Sequence, residues 1–122
     1  MKIKENHEFI PPLIIRNRHI QSIMNSLGPR KIHANKILNE LKSQRVVIKT
    51  KKDVRLIAEH TVSNAERPRR KIKCLVVLLH GWEGSSESAY MVTTTNTLLV
   101  NGFDVLRLNF RDHGDSHYLN KE

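Results

Sequence analysis

Cysteine is almost missing from this 122-residue chain: Cys74 stands alone. No internal disulfide framework can form, and such usage fits a reducing compartment. Beside an apolar run, that thiol reads as inert packing rather than as a reactive group. Aromatic residues are nearly as scarce, with three Phe, two Tyr and one Trp, which removes the stacking platforms that single-stranded nucleic acid requires. Nowhere do about 20 apolar residues run together, so no membrane-spanning helix is expected. Glu5, Glu8 and the Pro11-Pro12 pair interrupt any secretory leader at the start. The expectation is a cytoplasmic protein, with peripheral contact to a membrane left open.

Acidic residues are sparse in one part of the chain only. Residues 1–74 hold 18 Lys and Arg against 6 Asp and Glu, whereas residues 75–122 hold 3 against 6. A basic half suits an anionic membrane surface or nucleic acid, and equally a solvated face. The cations do not recur at helical spacing. No Gly-Arg, zinc-finger or RNA-binding sheet signature accompanies them either, so nucleic acid is not an expected partner. A basic binding module on anionic lipid or nucleic acid nevertheless stays the alternative reading of the whole chain.

What is there reads as an α/β chain. Residues 1–44 form an extended and helical arm, because Phe9-Ile10-Pro11-Pro12 cannot sit inside a helix. Asn17 or Ser22 is placed to cap a short helix carrying Ile20, Ile23, Met24 and Leu27, with Gly28-Pro29 as its stop. A weak helix follows over 31–43. From residue 45 to 122 the pattern is sheet-forming. Val46, Ile48, Val54, Leu56 and Ala58 alternate with polar residues, which predicts two half-exposed antiparallel strands turning at Lys51-Lys52-Asp53. Ser63 to Lys73 is a charged surface connection.

The segment Cys74 to Ser85, C-L-V-V-L-L-H-G-W-E-G-S, carries most of the information. Its apolar run predicts a strand buried on both faces of a parallel sheet. His80-Gly81 ends that run at the strand's carboxyl end, where open α/β sheets place their ligands. Ser86 to Asn101 predicts a helix capped by Ser85 or Ser86 and ended by Gly102, with Tyr90, Met91, Thr94, Leu98 and Leu99 facing inward. Phe103 to Phe110 predicts a second buried strand with Val105, Leu106 and Leu108 in the core. Strand, helix and strand make a β-α-β crossover. A polar loop over 111–121 ends the pattern.

Taken in order, several blocks resemble one group of enzymes. They are Phe9-x-Pro11-Pro12 with Arg16-Asn17-x-His19-x-Gln21, then His80-Gly81-Trp82-Glu83-Gly84-Ser85, then Asn101-Gly102-Phe103, and finally Leu108-Asn109-Phe110-Arg111-Asp112-His113-Gly114-Asp115-Ser116-His117. The chain is similar here to α/β-hydrolase esterases of the family-four type, related to the embryogenesis-associated plant protein. The resemblance implies hydrolysis of a small ester substrate, a short acyl ester or a glycerolipid, through a Ser–Asp–His triad without cofactor or metal. It implies an incomplete α/β-hydrolase fold, with amino-terminal antiparallel strands and then the crossover. By resemblance the Trp82 backbone N–H donates to the oxyanion, and Gly81 lets the substrate approach. His80, Asp112 and His113 then belong to loops that shape the active-site mouth.

The departure is as informative. The family carries its nucleophile in a G-x-S-x-G elbow after the next strand, and Gly114-Asp115-Ser116-His117-Tyr118 lacks the second Gly and a following helix. At 122 residues the chain is also short of the ~200–250 of many α/β domains. The expectation is therefore an amino-terminal portion, inactive by itself, with a complementary chain as a possible partner. The cluster Asp112, His113, Asp115, Ser116 and His117 admits two other readings, a metal site and a compressed triad. Neighbours in one loop rarely reach the base-to-nucleophile geometry that a triad requires.

Overall fold

The computed structural model describes residues 10, 12–21, 28–65 and 74–120. The chain divides into two units, Met1–Ile32 and His33–Glu122. In the first, Pro12 is extended and Leu13–Ile15 form a single 3-10 turn. Asn17 caps the helical turn at 18–21: its Oδ1 accepts the His19 N–H at 2.9 Å and its carbonyl accepts the Gln21 N–H at 3.0 Å. The expected continuation through Ile23, Met24 and Leu27 lies outside the described residues. Helix α1 (Pro29–Glu40) begins where a stop was expected. Proline suits the first helical position, since the N–H it lacks would have no helical partner there.

Among the described residues four strands form one mixed sheet: β1 (Gln44–Lys49), β2 (Arg55–Thr61), β3 (Leu75–Leu79) and β4 (Asp104–Leu108), in the order β1-β2-β4-β3. β1 and β2 pair antiparallel with Ile48 opposite Leu56. The turn between them closes with the Thr50 N–H on the Val54 carbonyl at 2.8 Å. Asp53 takes a left-handed φ of 63° there, which its short side chain tolerates. β4 lies antiparallel to β2 and parallel to β3. The β3–β4 connection is helix α2 (Ala89–Val100), as a parallel pair requires. Among the described residues no helix is long and apolar enough to cross a membrane.

α2 stops at a Gly-based cap. The Phe103 N–H reaches the Leu98 carbonyl and the Gly102 N–H the Leu99 carbonyl, both at 3.0 Å, and Gly102 has φ 80°. These are the two bonds that satisfy orphan carbonyls at a helix end turned by a left-handed residue. Ala34 and Ile37 of α1 pack on Val92 of α2, with Leu38, Leu41 and Ala89 around them. Burying side chains of this kind contributes about 1.5–3 kcal/mol for each large aliphatic residue.

Three expectations about burial are corrected. β3 is not covered on both faces: Leu75, Val77 and Leu79, which alternate along the strand and so share one face, are each about half exposed (53, 50 and 54 %), and among the described residues β3 also has a strand neighbour on one side only. The inward stripe of α2 is Met91, Val92 and Thr95, while Tyr90 and Thr94 face out. The helix also starts after Ser88, later than the expected caps Ser85 and Ser86. In β4 the most deeply buried positions are Val105 and Arg107, and Leu106 and Leu108 are only half-buried. The connection after β2 begins anchored, with the Ser63 N–H on Asp104 Oδ1 at 2.9 Å and its hydroxyl on the Leu99 carbonyl at 2.6 Å.

Candidate functional site

β3 and β4 are parallel, so their carboxyl ends open side by side and place residues 80–88 next to residues 109–116. His80 joins the two loops. It is buried, its Nδ1 lies 2.9 Å from the Gly81 carbonyl, and the Phe110 N–H donates to its Nε2 at 3.1 Å. An acceptor at Nε2 places the ring proton on Nδ1, which then donates to Gly81. Both nitrogens are used, which leaves His80 no atom to act as a base. Its ring meets Phe110 edge-on at 4.7 Å and His113 at 5.0 Å.

Residues Gly81 to Gly84 make a four-residue turn closed by the Gly84 N–H on the Gly81 carbonyl at 3.0 Å. Most backbone donors along this loop are occupied. The Gly81 N–H donates to the Tyr90 hydroxyl at 2.6 Å, Ser85 N–H to Ser88 Oγ at 2.9 Å, and Ser86 N–H to Asn109 Oδ1 at 2.6 Å. Glu87 N–H reaches Ser85 Oγ, and Ser88 N–H the Ser85 carbonyl. The Trp82 and Glu83 N–H groups have no acceptor among the described residues. They are the two central amides of the turn, and Trp82 is 93 % exposed. Glu83 holds a left-handed φ of 54°, a conformation that costs a non-Gly residue about 1 kcal/mol or more and recurs at functional sites.

The glycines divide differently from the sequence expectation. A Cβ on Gly81 would meet only the Tyr90 hydroxyl at 3.7 Å, an ordinary contact, so internal packing does not demand glycine there. At Gly84 a Cβ would lie 3.0 Å from the Gly81 carbonyl and from the Tyr90 hydroxyl, and 3.2 Å from His80 Cβ. Gly84 is thus the residue that lets the turn close. Tyr90, expected in the core, instead ties the first turn of α2 to Gly81. No spacing in the sequence signals that contact.

Beneath the loops lies Arg107, only 1 % exposed. It donates from Nη1 to the Ser86 carbonyl at 2.9 Å and from Nη2 to Ser43 Oγ at 3.0 Å, while its Nε has no partner. Burial lowers its pKa, opposed by the charges of Glu59 and Glu87. Arg45, at the surface, has its pKa raised by hydrogen bonds to Glu59 (2.9 Å) and Asp115 (2.6 Å). Arg107 and Asn109 together pin Ser86, and with it the far end of the turn.

The cluster after β4 is a folded loop rather than a triad. Ser116 is fully buried; its hydroxyl faces the Phe110 and His113 carbonyls at 3.0 and 2.7 Å and accepts the His113 N–H at 3.0 Å. His113 Nδ1 sits 2.9 Å from the Arg111 carbonyl. Asp112, at φ 59°, lies 3.2 Å from Arg111 Nε, and Asp115 holds Arg45. His117 is exposed. No group of three or more His, Cys, Asp or Glu is arranged to hold a metal ion among the described residues. Comparison with the known protein families, with curated proteins and with solved structures finds no match.

Proposed function

We propose that this chain supplies the oxyanion side of an α/β-hydrolase esterase active site acting on short acyl esters or glycerolipids. One observation carries the reading: at the carboxyl end of a parallel strand, the Trp82 and Glu83 N–H groups have no acceptor among the described residues, while the donors flanking this pair, at Gly81 and at Gly84 to Ser88, are held. A donor fixed in this way and left unpaired stabilises the oxygen that becomes negative in a tetrahedral intermediate, without reorganisation. The sheet supports the reading too. The strand before the turn pairs on one side with the strand that follows α2, and its other side is where the resembled family places the strand leading to the nucleophile elbow. His80 and Tyr90 are positioning residues for the turn, and Asp112 and His113 shape the facing loop. The nucleophile, its acid and its histidine come from other residues than these 122.

The test has two arms. The purified chain alone is expected to leave 4-nitrophenyl acetate at the buffer rate, with Ser116→Ala making no difference. Joined to a segment that carries an elbow and its histidine, it is expected to turn the ester over. Trp82→Pro, which deletes the N–H, should then lower kcat by about 10²–10³, or roughly 3–4 kcal/mol. Ser116-dependent turnover by the chain alone overturns the reading, as does an unchanged kcat in the Trp82→Pro form of the active assembly.

A further inference from the structure

The β1–β2 turn and the chain after β4 line a cleft of about 470 Å³. Lys52, Asp53, Arg55, Arg111, Leu119 and Asn120 line it. Three of these residues are cations and one is an acid. That acid is drawn away, since Asp53 pairs with Lys49 at 2.8 Å. Arg111 Nε has Asp112 at 3.2 Å. Lys52 and Arg55 have no acidic partner among the described residues. The wall carrying Arg55 is rigidly held: its N–H donates to Asn120 Oδ1 at 2.7 Å, and Asn120 Nδ2 donates to its carbonyl at 3.0 Å. The Asn120 amide thereby takes the place of a neighbouring strand at the end of β2, where β4 pairs only with Ala58 to Thr61.

A concave site with an excess of one sign of charge raises the local concentration of counter-ions. Guanidinium groups present planar forks that match phosphate oxygens two at a time, and a lysine adds a point charge. We infer that this cleft binds a phosphomonoester group, carried either by a small soluble molecule or by a lipid headgroup. The inference stands apart from the esterase reading, because the cleft contains none of the residues assigned to the oxyanion turn.

The experiment titrates the chain with glycerol 3-phosphate by calorimetry. A second arm measures co-sedimentation with phosphatidylcholine vesicles containing phosphatidic acid. Arg55→Gln and Lys52→Gln each remove one cleft charge, and neither disturbs the Asn120 clamp, which holds backbone atoms. Lys36→Gln removes the same charge from an exposed position on α1. Arg55→Gln is expected to weaken binding about tenfold or more, as loss of a charge-assisted pair does, and Lys52→Gln by a smaller factor. Lys36→Gln should change it less than about twofold, since that charge lies outside the site and is largely screened. Loss in both arms assigns the cleft to the phosphate group itself, and loss confined to the vesicle arm assigns it to the lipid headgroup. No saturable binding in either arm overturns the inference. Equal losses for Arg55→Gln and Lys36→Gln overturn it as well, because they would reveal only diffuse attraction to net charge.

Discussion

A lysine at the centre of β3 should separate copies of this chain that otherwise pair edge to edge. β3 is Leu-Val-Val-Leu-Leu, without Pro, Gly or charge, and among the described residues one of its sides lacks a strand neighbour. The opposite edge, β1, carries Arg45 and Lys49, the kind of residue that guards an edge against pairing. Two β3 strands meeting antiparallel about a dyad at Val77 would set Leu75 against Leu79 and Val77 against itself. Each of those side chains is about half exposed. Edge pairing covers only the flanks of those side chains that turn toward the new strand, a fraction of the about 1.5–3 kcal/mol that full burial of each contributes. The added ladder contributes about 0.5–1.5 kcal/mol per hydrogen bond. Association opposes this with about 4–15 kcal/mol of lost freedom. The gains and the cost are of similar size, which makes the pairing weak and dependent on concentration.

Val77→Lys places an ammonium group on the dyad against its own copy, in a site that would otherwise be apolar. Like charges directly opposite on a sheet destabilise pairing, so self-association should fall at least tenfold. Sedimentation velocity over a concentration series from about 5 to 500 µM reads the result. A wild-type chain that stays monomeric throughout refutes the reasoning. So does a Val77→Lys chain that associates as wild type does.

The parts of the fold that were legible in the sequence are those governed by local pattern. Val46, Ile48, Leu56 and Ala58 show the period of a half-covered strand, and their register across the hairpin follows it. Gly102 marked the end of α2 because only its freedom at positive φ allows both capping bonds. The misreadings share one cause. An apolar run records that a strand prefers to be covered, not that it has neighbours, so Leu75 to Leu79 looked interior and lies at an edge. The spacing of α2 points inward at Tyr90 and Thr94, but the buried threonine is Thr95, whose hydroxyl returns to the Met91 carbonyl at 2.8 Å and so needs no other partner. Arg107 sits at an alternate position of β4 among apolar residues. Its burial depends on Ser43 and Ser86, 64 and 21 residues away along the chain, and no local pattern encodes that. His80 and Gly81 were visible from the motif, whereas the hydroxyl of Tyr90 was not.

Two further outcomes follow from the packing beneath the turn. Arg107→Met keeps most of the volume and removes a buried charge with an unpaired Nε, while it also leaves the Ser86 carbonyl without its donor; the two effects oppose each other, so stability should change by less than about 2 kcal/mol. Arg107→Ala, which opens a void and orphans the Ser86 carbonyl, should cost about 3–5 kcal/mol; urea unfolding followed by circular dichroism in the Val77→Lys background compares them, and equal costs would contradict this account. The last outcome concerns the glycines of the turn. Gly84→Ala forces a methyl to 3.0 Å from the Gly81 carbonyl and the Tyr90 hydroxyl, and should cost about 1–3 kcal/mol as overpacking does. Gly81→Ala meets nothing closer than 3.7 Å and should fall within about 0.5 kcal/mol of wild type in the same unfolding assay. In an assembled esterase the order is expected to reverse for kcat/KM relative to stability: the Gly81 methyl stands beside the free Trp82 donor, where the substrate carbonyl must approach, and slows turnover without unfolding the chain. If Gly81→Ala instead destabilised the fold and left turnover intact, the glycine would serve internal packing, and this turn would not be where the substrate binds.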